Sequence, residues 1–253
     1  MIADLLFYLI AVPAALAVGI SKGGFGAGVV ILAVPMLSLV IPTPVAATIM
    51  LPVLITTDFI TVWVYRKDFS RPDMRVLLPG AFIGTALGWY GFQFLTQDGL
   101  KLMVGVIALI FTADYWLPLR PKKDGAKPAG IRGTFWGTLA GFTSFFAHAG
   151  GPPLQVYLLP RGLQKRAFVG TVGVFFWIVN LSKIPAYWNL NQFSQDLLLT
   201  SLVLMPLAPV GIGIGLWAQT RLNDKLFFKI VYGFLAFTGV KLTYDALRGM
   251  GYL

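Results

Sequence analysis

Seven stretches of this sequence run for about twenty residues each with few charges, at 2–20, 45–65, 76–95, 100–119, 167–187, 197–219 and 226–247. Crossing a hydrocarbon slab takes about 17–25 helical residues, so each is long enough to span. Three further apolar runs, 29–41, 133–147 and 154–160, are too short, and they flank two glycine-rich stretches, 21–28 and 148–153. Membrane strands would alternate in polarity, whereas these runs are apolar all round. Only 12% of the 253 residues are charged and the mean hydropathy is +0.77. Soluble domains carry about 25% charged residues, so this chain cannot cover a water-facing surface. An all-α, polytopic membrane protein is predicted. Asp4, standing where a signal peptide has basic residues, predicts that the first span is retained.

The net charge of +10 could suggest a nucleic-acid partner, but the distribution of the basic residues argues against one. Fifteen of the twenty Lys and Arg residues fall in four connecting segments: Arg66 to Arg75, Arg120 to Arg132, Arg161 to Arg166 and Arg221 to Lys229. The opposing connections, 42–44, 96–99 and 188–196, have none. The positive-inside rule places the four basic segments in the cytoplasm. The expected location is the bacterial inner membrane, with the lipid bilayer as partner and no nucleic acid.

The two halves read alike. At an offset of 122 residues Gly19 meets Gly141, Gly28 meets Gly150, Asp58 meets Asn180 and Tyr65 meets Tyr187. At 127, Pro79, Ala81, Gly84 and Gly88 meet Pro206, Ala208, Gly211 and Gly215; at 128, Gly105 and Ala108 meet Gly233 and Ala236. The segmentation is therefore a first repeat at 1–119, a basic cytoplasmic linker at 120–132 and a second repeat at 133–253. Corresponding loops differ in charge: 66–75 is basic where 188–196 is not. The halves are expected to be inverted-topology repeats, each with a broken, re-entrant helical hairpin followed by three transmembrane helices. That design places a substrate site near the midplane at discontinuous helices.

The breaks carry the candidate chemistry. Irregular backbone at membrane depth needs protein or a water-filled cavity to satisfy it. A helix starting after each break turns free N–H groups and a positive dipole end toward a ligand, and Pro152 and Pro153 suit a first helical turn. The expected anion-binding residues are Ser21, Lys22, Gly23, Gly24, Gly26 and Gly28 at one tip, Thr143, Ser144, His148, Gly150, Gly151 and Pro152 at the other, with Asn180 and Lys183. The alternative for the glycines is tight helix packing. Asp58 and His148, the only histidine, are the candidate proton-coupling groups. A buried charge faces a cavity or a partner. Asp58 is thus either a coupling-proton carrier, with Lys183 as substrate ligand, or half of a structural ion pair with Lys183 or Lys22.

The motif Ser21-Lys-Gly-Gly-Phe-Gly-Ala-Gly28 with Val34-Pro35, echoed by His148-Ala-Gly-Gly-Pro-Pro153 with Tyr157-Leu-Leu-Pro160, resembles the TauE/SafE family of sulfite and organosulfur anion exporters. Gln164-Lys-Arg-Ala-Phe-Val169 and Asn180-Leu-Ser-Lys-Ile-Pro185 are similar to that family's second half. The resemblance covers nearly the whole chain. It implies secondary-active export of a small sulfur-containing anion such as sulfite or an organosulfonate, driven by an ion gradient, with a coupling proton or sodium ion and no cofactor.

With no Cys, one His and scattered aspartates, thiolate catalysis and a metal-ligand set are not expected, nor is an enzyme. An anion channel with opposed half-helices is the nearer alternative. A homodimer is left open by the sequence.

Overall fold

The computed structural model of the chain describes residues 2, 4–25, 29–117, 130–218, 221 and 224–253. Gly26, Gly28 and residues 120–129 of the expected linker lie outside them. Among the described residues the regular structure is helical throughout. Helix α1 is Leu5–Ile20, capped by the Asp4 carboxylate on the Leu6 amide, and it runs into a π-helical turn at Ser21–Phe25. A 3-10 turn at Val30–Leu32 leads into α2, Ala33–Leu37. Then follow α3 (Thr43–Tyr65), α4 (Arg71–Phe92) and α5 (Gln97–Trp116). The second half repeats the order: α6 (Gly130–Ala147), a break, α7 (Gly151–Leu158), α8 (Lys165–Asn189), α9 (Gln195–Leu204), α10 (Leu207–Ala218) and α11 (Asp224–Gly249).

Five segments are long and apolar enough to cross a membrane: Leu5–Gly23, α3, α5, α8 and Gln195–Ala218. Helices α4 and α11 have the length expected of them, 22 and 26 residues, but their glycines and charged residues dilute the apolar character. Phe59, Trp63, Phe82, Ile83, Tyr90, Leu202, Trp217 and Phe237 are all more than two-fifths exposed. In water so large an apolar surface would drive association; in a bilayer it faces acyl chains. This is a membrane protein.

Two boundaries differ from the sequence reading. The 197–219 run is divided at Met205 and Pro206 into α9 and α10, because proline has no N–H to give and its ring crowds the preceding turn. Helix α4 begins at Arg71 and not at Val76: Ser70 Oγ caps it by accepting from the Asp73 amide and donates its own hydrogen to the Asp73 carboxylate, so Arg71 and Arg75 lie in its first turns.

The packing is reciprocal. Helices α3 and α8 lie together, as do α5 and α11, while α1 packs on α10 and α6 packs on α4. Glycines make the last two seams close. A Cβ on Gly19 would run into the Ala208 carbonyl of α10, and one on Gly141 into the Ala81 carbonyl of α4; Ala81 and Ala208 are a pair aligned at the sequence offset of 127. The match is incomplete further on, since Gly105 packs against Thr243 while Gly233 faces open space.

The basic stretches 66–75 and 161–166 meet. Arg166 pairs with Asp68 at 3.0 Å, and Asp73, fully buried, accepts from Arg161 Nε at 2.7 Å and Tyr157 Oη at 3.1 Å. These bonds tie the end of α7 to the start of α4.

Candidate functional site

The two breaks meet α3 and α8 where those helices cross the interior. Asp58 of α3 and its counterpart Asn180 of α8 touch: the Asn180 amide donates to Asp58 Oδ2 at 2.7 Å. Lys22, in the π turn, donates to Asp58 Oδ1 at 2.6 Å and stands 5.2 Å from the Phe176 ring centroid, an additional favourable contact for a cation. Of the two ion pairs open at the sequence level, the structure makes Asp58–Lys22.

Lys183 turns to the second break instead. Its Nζ donates to the Ser144 carbonyl at 2.7 Å, Ser144 Oγ at 2.8 Å and Asn180 Oδ1 at 2.8 Å, and lies 2.9 Å from His148 Nδ1. An ammonium has three hydrogens, so these partners saturate it. His148 Nε2 lies 2.9 Å from the Ala47 carbonyl of α3. A carbonyl only accepts, so that nitrogen carries the hydrogen. Tyr187 adds a further tether from α8, donating to the Phe145 carbonyl at 2.8 Å.

The break itself is a sharp turn. His148 has φ +51°, a left-handed conformation that costs an L-residue about 1–2 kcal/mol. Its two ring contacts hold it there. Gly150 caps α7, with Pro152 and Pro153 in the first turn, as their fixed φ favours. A Cβ on Gly150 would press on Phe176 and Ser144, so a glycine is required by close approach. Ring contacts and backbone strain separate in mutagenesis: His148→Gly loses the ring contacts but relieves the strain at positive φ, whereas His148→Ala loses the ring contacts and keeps the strain. His148→Ala is expected to be the less stable by about 1 kcal/mol in thermal unfolding of the detergent-solubilised protein. Equal stability would mean that the turn relaxes without cost.

Between the breaks lies a narrow cavity of about 10 Å³, lined by Lys22, Val30, Leu54, Ser144, His148, Gly151, Phe176 and Asn180. That is room for about one water molecule. Its wall carries one ammonium, that of Lys22, with the Ser144 hydroxyl, the His148 ring and the Asn180 amide as its other polar groups. Among the described residues no group of three or more His, Cys, Asp or Glu is arranged to hold a metal.

The expected site residues divide by position. Lys22, Ser144, His148, Gly151 and Asn180 line the cavity, and Asp58 and Lys183 brace it from behind. Thr143 Oγ1 donates to the Leu139 carbonyl of its own helix at 2.8 Å and stands 3.2 Å from the Ala149 carbonyl in the break. Gly23 is needed against α10, where a Cβ would strike the Ile212 carbonyl. Ser21 Oγ accepts from the Val29 amide at 3.4 Å, bridging the first break. Gly24 lies in the π turn. The first break does not lead straight into a long helix: a 3-10 turn and the five-residue α2 follow it, so the helix-end field expected there is weaker than at α7.

Sequence reasoning missed Val30, Leu54 and Phe176. The last two each stand four residues before a recognised polar residue, Asp58 and Asn180, and so on the same helical face; that spacing is the available signal.

Comparison with known proteins agrees in kind. The sequence model of the family described as "Sulfite exporter TauE/SafE" matches residues 11–242, nearly the whole chain. No match was found among curated proteins or solved structures.

Proposed function

The chain belongs to the sulfite exporter TauE/SafE family, and on that premise we propose that it is a secondary-active exporter of a small sulfur-containing anion, sulfite or an organosulfonate, working by alternating access. The family is one of membrane transporters, not of enzymes. The observation that carries the proposal is the buried cavity where Lys22 and the Ser144–His148 turn converge beside Asp58 and Asn180. A cavity with room for about one water is no conducting path, which favours a carrier over a channel. For an anion to be seated, the arms bearing the breaks must part, and moving apart alternately toward the two faces is what a carrier does.

The repeat reading is supported by the reciprocal seams α1–α10 and α6–α4. Re-entry of the 133–160 hairpin is supported by its two ends: Gly133 sits against Val76 and Tyr157, and Tyr157 bonds to Asp73, all at the basic end. That end faces the cytoplasm of the bacterial inner membrane in this proposal, the repeats are 1–119 and 133–253, and Asp58 carries the coupling proton. For His148 to take a proton as well, its Nδ1 contact to Lys183 would have to break first.

Uptake into proteoliposomes tests the reading. Sulfite, sulfoacetate, taurine, sulfate and a simple carboxylate are compared with and without a pH gradient. Saturable flux of a sulfur anion with counterflow is expected, and Lys22→Gln should lower it by at least about tenfold, the loss of one charge-assisted contact. Large, non-saturating currents would replace the carrier with a channel, and the absence of any sulfur-anion flux would overturn the proposal.

A further inference from the structure

The buried polar cluster has an odd charge, and its hydrogen bonds fix the sign. Asp58 and Lys183 are completely buried, Asn180 is 2% and His148 4% exposed. Asn180 gives its Nδ2 to Asp58, so its Oδ1 is an acceptor toward Lys183. The Ser144 carbonyl is likewise acceptor-only. His148 Nε2 faces the Ala47 carbonyl and carries its own hydrogen, so one further hydrogen must lie between Lys183 Nζ and His148 Nδ1. Assigned to either partner, that hydrogen leaves the Lys183–His148 couple with one positive charge. Lys22 adds a second, and Asp58 subtracts one. The other fully buried aspartate among the described residues, Asp73, is paired with Arg161 at the basic end. The cluster rests at +1, and an unbalanced charge in an apolar interior is costly.

We infer that this resting charge fixes the charge the site accepts at −1: an anion of single charge enters alone, and an anion of double charge enters with one proton, which Asp58 takes. The inference rests on the carrier reading and specifies its coupling. Asp58 faces Lys22 from the π turn and Asn180 from α8, with the Lys183–His148 couple behind Asn180. On its own helix Thr57 and Thr61 are engaged with the Leu54 and Thr57 carbonyls. Asn180 keeps Oδ2 as an acceptor, so the proton goes to Oδ1, the oxygen that Lys22 releases as it turns to the incoming anion. The new O–H bond forms as a hydronium ion from the entry side gives up its proton. On the exit side water takes that proton back when the anion leaves and Lys22 returns to the carboxylate. Asp58 is thus a charge-balancing group, and Lys183 a positioning residue that holds the second break.

Two sulfur oxyanions of similar size and fixed charge separate the cases: methanesulfonate, singly charged, and sulfate, doubly charged, over the whole mildly acid to mildly alkaline range. Their affinities for the full-length protein in detergent are measured by calorimetry across that range. Methanesulfonate binding should be flat with pH, and sulfate binding should weaken by up to about tenfold for each unit of rising pH, the limit for one linked proton. Asp58→Asn, which leaves the cluster at +2, should make sulfate binding flat with pH and about tenfold or more tighter at alkaline pH. The wild-type comparison decides the matter even if that variant fails to fold. Equal pH slopes for the two anions, or no sulfate binding at acid pH where methanesulfonate binds, overturns this inference. Should sulfite still be carried in proteoliposomes, the carrier reading survives that result; if no sulfur anion is either bound or carried, both fall.

Discussion

Gly84→Leu is expected to remove folded protein, with no monodisperse fraction surviving detergent extraction, while Gly84→Ala, whose single added carbon already meets the α6 backbone, loses about 3 kcal/mol or more. Gly84 of α4 lies so close to α6 that an added Cβ would stand 2.7 Å from the Phe142 nitrogen and collide with the Thr138 carbonyl. Both are backbone atoms of a helix, and neither can yield without shifting all of α6. Gly80 and Gly137 make the same seam on either side. A leucine adds a branched side chain to a contact with no room for one carbon, and native proteins hold only about 5–15 kcal/mol in reserve. Gly213→Ala is the control, since a Cβ there meets nothing. Size-exclusion profiles and thermal unfolding read the outcome; normal folding of Gly84→Leu would mean that the α4–α6 seam is looser than its geometry. The consequence for function is direct, because α6 carries the Ser144–His148 turn, and α1, with the corresponding seam on α10, carries Lys22.

This seam illustrates what the sequence disclosed. Glycines four apart at 84 and 88 announce close helix contact, but not that α4 meets α6 and not the broken hairpin that precedes it in the chain. Periodicity marks a face and is silent about which face it meets. The spans were legible because length and apolarity have one physical cause, the thickness of the hydrocarbon. The break at Met205 and Pro206 is invisible to apolarity, because Pro206 interrupts the helix without interrupting the apolar run. The start of α4 was misplaced because charge was read as loop, while Ser70 and Asp73 were already a capping signal.

The site divides in the same way. The 122-residue offset pairs Asp58 with Asn180 in the sequence, and the two side chains touch in the structure. The choice made by Lys183 was not legible. On α8 it is three residues beyond Asn180 and could face Asp58 or the second break. Its direction depends on the Ser144 carbonyl and the His148 ring being presented by a turn with φ +51°, and no local pattern predicts that for a histidine. The cluster of Asp73, Tyr157 and Arg161 was missed for a related reason: its members lie 84 and 88 residues apart from Asp73 in sequence.

Lys183→Met should be the most damaging conservative-size change within the cluster, costing about 3–5 kcal/mol of stability and abolishing transport, because it removes one member of a buried charged network. Methionine fills similar volume but donates nothing. Asn180 Oδ1 and His148 Nδ1 lose their donor, at about 1–3 kcal/mol for each buried group left unpaired. The Ser144 carbonyl is less affected, since it still accepts from the His148 amide at 3.1 Å. Asn180, released on one side, no longer holds a single orientation toward Asp58, and the positive-φ turn at His148 loses one of the two ring contacts that offset its strain. Ser144→Ala is the measured contrast: it deletes only the hydroxyl contact at 2.8 Å and should cost about 1 kcal/mol. Thermal unfolding of both variants in the same detergent orders them. If Lys183→Met unfolds no earlier than Ser144→Ala, the tether from α8 to the break is not what holds the turn, and the positioning role assigned to Lys183 fails with it.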